Sequence, residues 1–265
     1  MCTYIIMNIV NGLPRIPPCA FAAVFSLVLT VAAAAETYVV PMWAHDLPAS
    51  DGRWWAQGYV INPHVFEVTY RVTNVYPLAT APCPACTLGE SPVVTLEPGG
   101  VRELQPPSIL PGQRLVAGSL ELETSAPVNI HFVAIREGGT AVRQRLDVAR
   151  GWLEAGAHRV STAEFTASGR MNVFVTNPSD TTLDVAMWMM SRDENEVRVS
   201  VAPRTTRVVT LPTPRCGGAP CTFPAVFPPP PLRVDFEANG RFLATVSSVT
   251  PTWAVFSLPD SVSPE

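Results

Sequence analysis

Charged residues are scarce in this chain, and lysine is absent. Only 15% of the 265 residues are charged, the 18 basic residues are all arginine, and the formal net charge is -4. The arginines are spread singly along the chain, whereas a nucleic-acid surface needs a dense basic patch. This composition therefore predicts no nucleic-acid partner. The hydrophobic content of 47% is ordinary, and it is high enough to form a packed core rather than a disordered chain.

The usual motifs of catalysis and metal binding are also missing. We find no phosphate-binding loop and no Gly-x-Ser-x-Gly elbow. No two of the histidines share a spacing that places them side by side on a helix or a strand: His45, His64, His131 and His158. Glu121 and Glu123 share one strand face, where a solvated pair is commoner than a glycosidase site. The sequence predicts no enzyme and no cofactor.

Only one long hydrophobic run is present, and it lies near the N-terminus. Residues 20–35 are uncharged and end in small residues just before Glu36. This pattern is typical of a signal peptide, and sixteen residues are short for a membrane span, which needs about 20. We therefore predict a signal peptide at residues 1–35 and a secreted, periplasmic or cell-surface protein. The alternative is an uncleaved N-terminal anchor. No later run could span a membrane.

The rest of the chain has the pattern of short strands. Residues 66–73 alternate strictly, with Phe66, Val68, Tyr70 and Val72 predicted on one face. Similar runs recur between frequent Asn-Pro, Pro-Gly and Asn-Gly turns, which favours an all-β sandwich or barrel. One exception has helical spacing, because Val148 and Trp152 are four residues apart and Gly156 could end a helix. Residues 148–156 are therefore predicted to be a linker that could form a short helix.

A repeat divides the chain into two similar parts. Tyr59–Pro63 recurs as Phe174–Pro178, and Phe66–Val68 recurs as Leu183–Val185. The order of the matching segments is preserved while the loops differ in length. We therefore predict two domains, residues 37–147 and 157–262. Each is close to the ~100 residues of an immunoglobulin-like sandwich, so the predicted fold is two tandem immunoglobulin-like β-sandwiches.

Several segments of the chain resemble a known group of proteins. The sequence contains these segments in order: Val40-Pro41, Gly52-Arg53-Trp54, Val60–Pro63, Leu96–Gly100, Val175–Pro178 and Leu243–Val249. Together they resemble secreted bacterial proteins built from tandem immunoglobulin-like β-sandwiches. The resemblance implies the fold and export, but no established activity and no functional residues. The cysteine pairs and the proline run at 228–231 depart from the pattern.

Four cysteines follow the predicted signal peptide: Cys83, Cys86, Cys216 and Cys221. In an exported protein they are expected to form disulfides, most simply one bridge within each short loop. Three pairings are possible, and spacing alone does not choose between them. A four-thiolate zinc site and a thioredoxin-like redox site are the alternatives. We expect two local disulfides and no metal.

The tryptophans are the candidate binding residues. Trp54 and Trp55 are adjacent, so in a strand they point to opposite faces and only one can face the core. Trp188 lies opposite the apolar stripe that begins at Leu183, with Met190 on its own side. Its exposure would mark a surface for a partner or a sugar. Packing between the two domains, or a β-bulge, would hide it instead.

These observations predict an exported, non-catalytic binding or structural protein whose partner is a protein or a glycan at the cell envelope. The first alternative is a carbohydrate-binding protein that uses exposed tryptophans. The second is an enzyme with a site at the domain junction, which would need converging His, Asp and Glu side chains.

Overall fold

The computed structural model of the chain describes residues 35–45, 47–49, 52–79, 91–104, 117–137, 142–162, 170–221, 232–249 and 254–259. The predicted signal peptide lies outside the described residues except for Ala35, and Cys83 and Cys86 also lie outside them.

The strands of the first half are β1 Glu36–Ala44, β2 Leu47–Ala49, β3 Gly52–Ile61, β4 Val68–Pro77, β5 Val94–Leu96, β6 Val101–Glu103, β7 Ala117–Thr124, β8 Asn129–Glu137 and β9 Val142–Leu146, followed by β10 Ala149–Arg150. Those of the second half are β11 Gly156–Thr162, β12 Arg170–Thr176, β13 Leu183–Met189, β14 Val197–Val201, β15 Thr206–Leu211, β16 Arg215–Cys216, β17 Ala219–Pro220, β18 Leu232–Ala238, β19 Leu243–Val249 and β20 Ala254–Ser257. A one-turn helix, α1 Arg192–Asn195, joins β13 to β14. The predicted all-β class is confirmed.

The two halves pair their strands in the same order. In the first half one sheet runs β1-β7-β4-β5, and the other runs β6-β3-β8-β9 with β2 on the edge of β3. In the second half the corresponding sheets run β11-β18-β13-β14 and β15-β12-β19-β20. We call these halves the first sandwich and the second sandwich. In both sandwiches the first two long strands lie in different sheets: β1 and β3 in the first, and β11 and β12 in the second. The constant-type immunoglobulin order instead places its first two strands in one sheet. The immunoglobulin-like name and the exact domain boundaries stay predictions.

The core of the second sandwich lies between its two sheets. Alternate side chains of β12, from Met171 to Val175, pack with those of β13 and β18, such as Met187 and Phe236. Period-two alternation explains this, because each strand buries one face. In the first sandwich, Trp43 of β1 meets Phe132 of β8 with ring centroids 5.7 Å apart, which joins its two sheets.

The predicted match between Phe66 and Leu183 is wrong by two residues. Phe66 is 47% exposed in the turn before β4, whereas Val68 begins the strand and is fully buried. Val68 pairs with Leu96 as Leu183 pairs with Val201. Val68 is therefore the equivalent of Leu183. A bulge between Val72 and Asn74 adds one residue to β4.

The predicted linker, residues 148–156, forms no helix within the described stretch 142–162. Ala149–Arg150 instead forms β10, which pairs with β1 of the first sandwich. Leu153 then pairs with Phe242 of the second sandwich through two backbone hydrogen bonds of 2.8 and 3.0 Å. Val148 and Trp152 are both buried in this extended segment. Their four-residue spacing is therefore compatible with an extended path as well as with a helix.

Candidate functional site

Trp188 lies on the outer face of the sheet β11-β18-β13-β14. Leu183, Val185, Met187 and Met189 of the same strand are buried in the core, while Trp188 is half-buried on the opposite side. Its face agrees with the strand alternation in the sequence. Its cross-strand neighbour, Asp235, also belongs to the second sandwich.

Arg192 covers one face of the Trp188 indole. The guanidinium carbon lies 4.6 Å from the ring centroid, a cation–π distance. Two carboxylates hold this guanidinium in place, with Glu196 at 2.5 Å and Glu237 at 2.6 Å. Hydrogen bonding to Glu196 raises the pKa of Arg192, and the same bond holds the pKa of Glu196 below its usual value. Both shifts favour the charged forms of Arg192 and Glu196.

A second ion-pair group lies beside the indole. Asp235 is 7% exposed and accepts hydrogen bonds from Arg159 at 3.0 Å and from Arg233 at 2.9 Å. Asp235 pairs across the sheet with Arg159 on one side and with Trp188 on the other. Arginine, aspartate and tryptophan side chains therefore form one row across the sheet, in which Asp235 is buried and Trp188 is half-buried.

An open groove runs along the next rows of this face. Ala186 forms part of its floor, because its small side chain stands between Glu237 and Arg198 on the neighbouring strands. The cavity volume is about 490 Å³, and its lining is Asp184, Val185, Ala186, Arg192, Arg198, Val199, Ser200, Glu237, Ala238 and Asn239. The Ser200 hydroxyl donates to Asp184 at 2.6 Å. The groove thus offers carboxylate, guanidinium, amide and hydroxyl groups next to an aromatic ring.

Met190 follows the strand and stands over a disulfide. It is 53% exposed with a φ of 62°, and its sulfur lies 3.7 Å from the sulfur of Cys221. Cys216 and Cys221 are disulfide-bonded, as the sequence predicts, and close the hairpin of β16 and β17. This bond leaves no thiolate at either position, so a zinc site that uses these two cysteines is wrong.

The disulfide hairpin is tied to the helix that carries Arg192. The amide side chain of Asn195 donates to the Arg215 carbonyl at 3.1 Å and accepts from the Arg215 N–H at 2.6 Å. The Gly217 N–H also donates to Glu194 at 3.0 Å. Because α1 has a single turn, these bonds fix the position from which Arg192 reaches the indole.

Trp54 and Trp55 point to opposite faces of β3, as predicted from their adjacency. Trp54 is 6% exposed and lies beneath the guanidinium of Arg136, 5.9 Å from it. It is a core residue, and we remove it from the candidate surface. Trp55 is half-buried on the outer face, where His45 meets its ring edge-on with centroids 4.8 Å apart.

In the described part of the chain, the junction between the sandwiches holds a cluster of three hydroxyls. Ser119, Thr176 and Thr206 are each at most 1% exposed and lie 2.7 to 3.1 Å from one another. Two carbonyls complete the cluster, because Ser119 donates to Pro41 and Thr206 donates to Tyr76. The cluster escaped sequence reasoning, since its members come from three strands with no shared motif.

Tyr76 borders this cluster and is 1% exposed. Its hydroxyl donates to Glu121 at 2.7 Å, and burial, followed by this hydrogen bond, raises the pKa of Tyr76 far above its usual value. The ring meets Trp152 edge-on with centroids 5.2 Å apart. Tyr76 therefore acts here as a neutral packing residue that anchors the junction.

Among the residues that the structure describes, no group of three or more His, Cys, Asp or Glu side chains could hold a metal ion. No helix in this part of the chain is long and apolar enough to cross a membrane. No protein-family model, curated protein or solved structure matches this chain.

Proposed function

We propose that this is an exported, non-catalytic binding protein that contacts a partner at the cell envelope through the outer face around Trp188. The observation that carries the proposal is the stack of Trp188 and Arg192, which two glutamates hold on an open sheet face. Tryptophan and arginine are the residue types that most often dominate binding energy at protein interfaces. The immunoglobulin-like fold, the signal peptide and the resemblance to secreted tandem-sandwich proteins belong to the same proposal.

The face is organised before any partner binds. Glu196 and Glu237 hold Arg192, and the disulfide hairpin holds α1 through Asn195. A partner would therefore lose little free energy in ordering these side chains. Because carboxylates and guanidinium groups alternate along the groove, the surface suits a partner that offers both hydrogen-bond donors and acceptors.

The test is binding to cell-envelope material with Trp188→Ala and a matched control. Truncation of an interface tryptophan costs about 2 kcal/mol or more, roughly a thirtyfold loss of affinity. Trp55→Ala removes a half-buried tryptophan of the first sandwich and should leave this binding unchanged. Circular dichroism checks that both variants fold.

If Trp188→Ala fails to fold, Arg192→Ala tests the same surface, because Arg192 is exposed and contributes little to the core. Unchanged binding by a folded variant would contradict the proposal. N-terminal sequencing of the protein from the native cells tests export separately, and a mature chain that begins near Glu36 is expected.

A glycan partner is the second candidate, and the outer face of β3 favours it. Tyr59 is 36% exposed and lies on the same strand face as Trp55, four residues away. The amide of Gln57 donates to the Tyr59 hydroxyl at 2.7 Å, and Glu103 and His131 flank Tyr59 on the neighbouring strands. Aromatic rings beside such polar groups suit sugars. Tyr59→Ala should abolish binding on a glycan array that Trp188→Ala leaves intact.

A further inference from the structure

The Cys216–Cys221 disulfide closes a hairpin that is too short to be stable by itself. Strands β16 and β17 contribute two residue pairs, and Pro220 in one of them has no N–H to donate. Gly217 and Gly218 form the turn with φ values of 63° and 83°, and glycine loses more conformational freedom on folding than any other residue. An isolated two-stranded hairpin is marginally stable in water. The disulfide therefore supplies the constraint that keeps this hairpin formed.

The helix α1 depends in turn on the hairpin. It is a single turn, closed by a bond of 3.0 Å from the Glu196 N–H to the Arg192 carbonyl. Within the described residues, the side chain of Ser191 makes no capping hydrogen bond. A helix this short is unstable in water without tertiary contacts. The three hydrogen bonds to Arg215 and Gly217 of the hairpin provide such contacts.

The ion pairs of Arg192 do not replace the hairpin. The side chains of Arg192 and Glu237 are 42% and 49% exposed, and ion pairs between exposed groups hold their side chains only weakly. Glu196 is the C-cap residue of α1, so it moves with the helix. If α1 loses the hairpin, the guanidinium therefore loses the fixed position from which it covers Trp188.

Met190 provides a second connection between the disulfide and the indole. Its sulfur lies 3.9 Å from the sulfur of Cys216 and 3.7 Å from that of Cys221, so the thioether packs against the bridge. Its φ of 62° is uncommon for a residue with a Cβ atom. Trp188 lies two residues earlier in the chain. The disulfide is thus connected to the indole through the end of β13 as well as through α1.

We propose that the Cys216–Cys221 disulfide is a redox switch for the face around Trp188. In the oxidised protein the hairpin holds Arg192 over the indole, and reduction by a dithiol releases α1 and uncovers the ring. The regulatory meaning of the switch rests on the proposed function, because the released face would bind the partner less tightly.

The reduction follows ordinary thiol–disulfide exchange. A thiolate of the dithiol attacks the sulfur of Cys216, which is the more exposed of the two residues, and Cys221 leaves as a thiolate that takes up a proton. The second thiol of the reductant then attacks the mixed disulfide and releases Cys216 as a thiol. The protein gains two electrons and two protons, and the reductant leaves as its own disulfide.

Nuclear magnetic resonance of the indole N–H groups tests the switch directly. The chain has six tryptophans, and the signal of Trp188 is the one that Trp188→Phe lacks. Dithiothreitol should shift this signal toward its position in oxidised Arg192→Gln, and hydrogen exchange of the α1 amides should accelerate at least tenfold. The signals of the buried Trp43 and Trp152 should stay in place, which shows that the fold is intact. Reoxidation should restore the original spectrum.

Two double variants separate this bridge from the other cysteines. Cys216→Ser with Cys221→Ser should give the reduced spectrum without any reductant and should bind cell-envelope material at least tenfold more weakly than the wild type. Cys83→Ser with Cys86→Ser is the matched control, because it removes the other cysteine pair that follows the predicted signal peptide. It should keep the oxidised spectrum and the binding.

An unchanged Trp188 signal and unchanged exchange after reduction would overturn the proposal. A shifted signal with equal binding by the oxidised and reduced forms would overturn the regulatory role. A shifted signal with no binding by the oxidised form would support the coupling of the disulfide to the stack and contradict the proposed function instead.

Discussion

Each sandwich has an Asn-Pro end, marked by Asn62 in the first and by Asn177 in the second, and the two ends have the same hydrogen-bonded frame and different surroundings. Asn62 donates its amide to the carbonyls of Phe66, Leu96 and Glu97, and Asn177 donates in the same way to those of Thr181, Val201 and Ala202. Both backbone N–H groups also donate across the sandwich at 2.9 Å. Thr206 at the end of the second sandwich is buried in the junction, whereas Val101, which occupies the equivalent position of the first sandwich by strand pairing, is 54% exposed. The comparison teaches that the asparagine maintains the fold and that the neighbouring side chains decide what the end contacts.

The same two ends also satisfy a buried backbone in different ways. In the second sandwich the N–H and carbonyl of Phe242 bond to Leu153 of the linker. In the first sandwich the equivalent residue is Val128, whose N–H donates to the Tyr38 hydroxyl at 3.1 Å. Buried backbone groups must be paired. The Tyr38 side chain therefore pairs the backbone N–H in the first sandwich, whereas the linker backbone pairs the equivalent N–H in the second.

The largest effect is expected from removing the two asparagines. Asn62→Ala and Asn177→Ala should each lower the free energy of unfolding by about 3 kcal/mol, because several buried carbonyls lose their donor at once. Urea-induced unfolding measures both. Asn→Asp at either position keeps an acceptor but loses the donors, and it should cost a similar amount. A cost confined to one of the two sites would show that their frames are not equivalent.

Tyr38→Phe should lower the free energy of unfolding by about 2 kcal/mol, because the buried Val128 N–H then has no acceptor. Burial, and then the hydrogen bond to Glu36, raises the pKa of Tyr38 to about 12 from the usual 10. The stability that depends on this shift is complete below pH 10 and is lost as the pH rises toward 12.

Urea-induced unfolding as a function of pH measures this effect. The free energy of unfolding should fall more steeply above pH 10 in the wild type than in Tyr38→Phe. Tyr76 keeps its own dependence in both proteins, so the difference between the two curves isolates Tyr38. Identical slopes would contradict the assignment of the raised pKa to Tyr38.

Reduction of the Cys216–Cys221 disulfide tests how much the hairpin that contacts Met190 contributes to the stability of the second sandwich. The bridge spans a sequence separation of 5 residues. A loop this short constrains little of the unfolded chain, so its loss should cost less than about 2 kcal/mol. Cys216→Ser with Cys221→Ser is the matched variant. A larger loss of thermal stability would mean that the hairpin supports the core as well as α1.

The smallest effect is expected from exchanging threonine and valine at Thr206 and at its equivalent, Val101. Thr206→Val removes one member of a buried hydroxyl cluster and should cost about 1 kcal/mol. Val101→Thr makes the reverse change at the equivalent uncovered position, and its effect on the free energy of unfolding should be close to zero. Thermal unfolding of both variants measures the contrast, and equal effects would contradict the stated difference in the surroundings of the two positions.

The alternation of side chains between strand faces could be predicted from the sequence, but the residue at which β4 begins could not. Phe66 and Val68 have the same parity, so an alternating pattern cannot show that the strand begins at Val68. The asparagine bonds fix that point, and they depend on contacts 34 residues away. The face of Trp188 could be predicted because parity alone decides it. Its cover by Arg192 could not, because the guanidinium reaches back from the one-turn helix that follows the strand.

The short strand in the linker has a consequence for aggregation. β1 would otherwise end the sheet β1-β7-β4-β5, and an open edge strand is a template for pairing with other chains. β10 occupies that edge at Tyr38 and Val39, and the Gly151 N–H extends the protection to Thr37 at 3.0 Å. The segment that connects the sandwiches therefore also closes an edge of the first one. Within the described residues no strand performs this task for β11, which is the terminal strand of its sheet there.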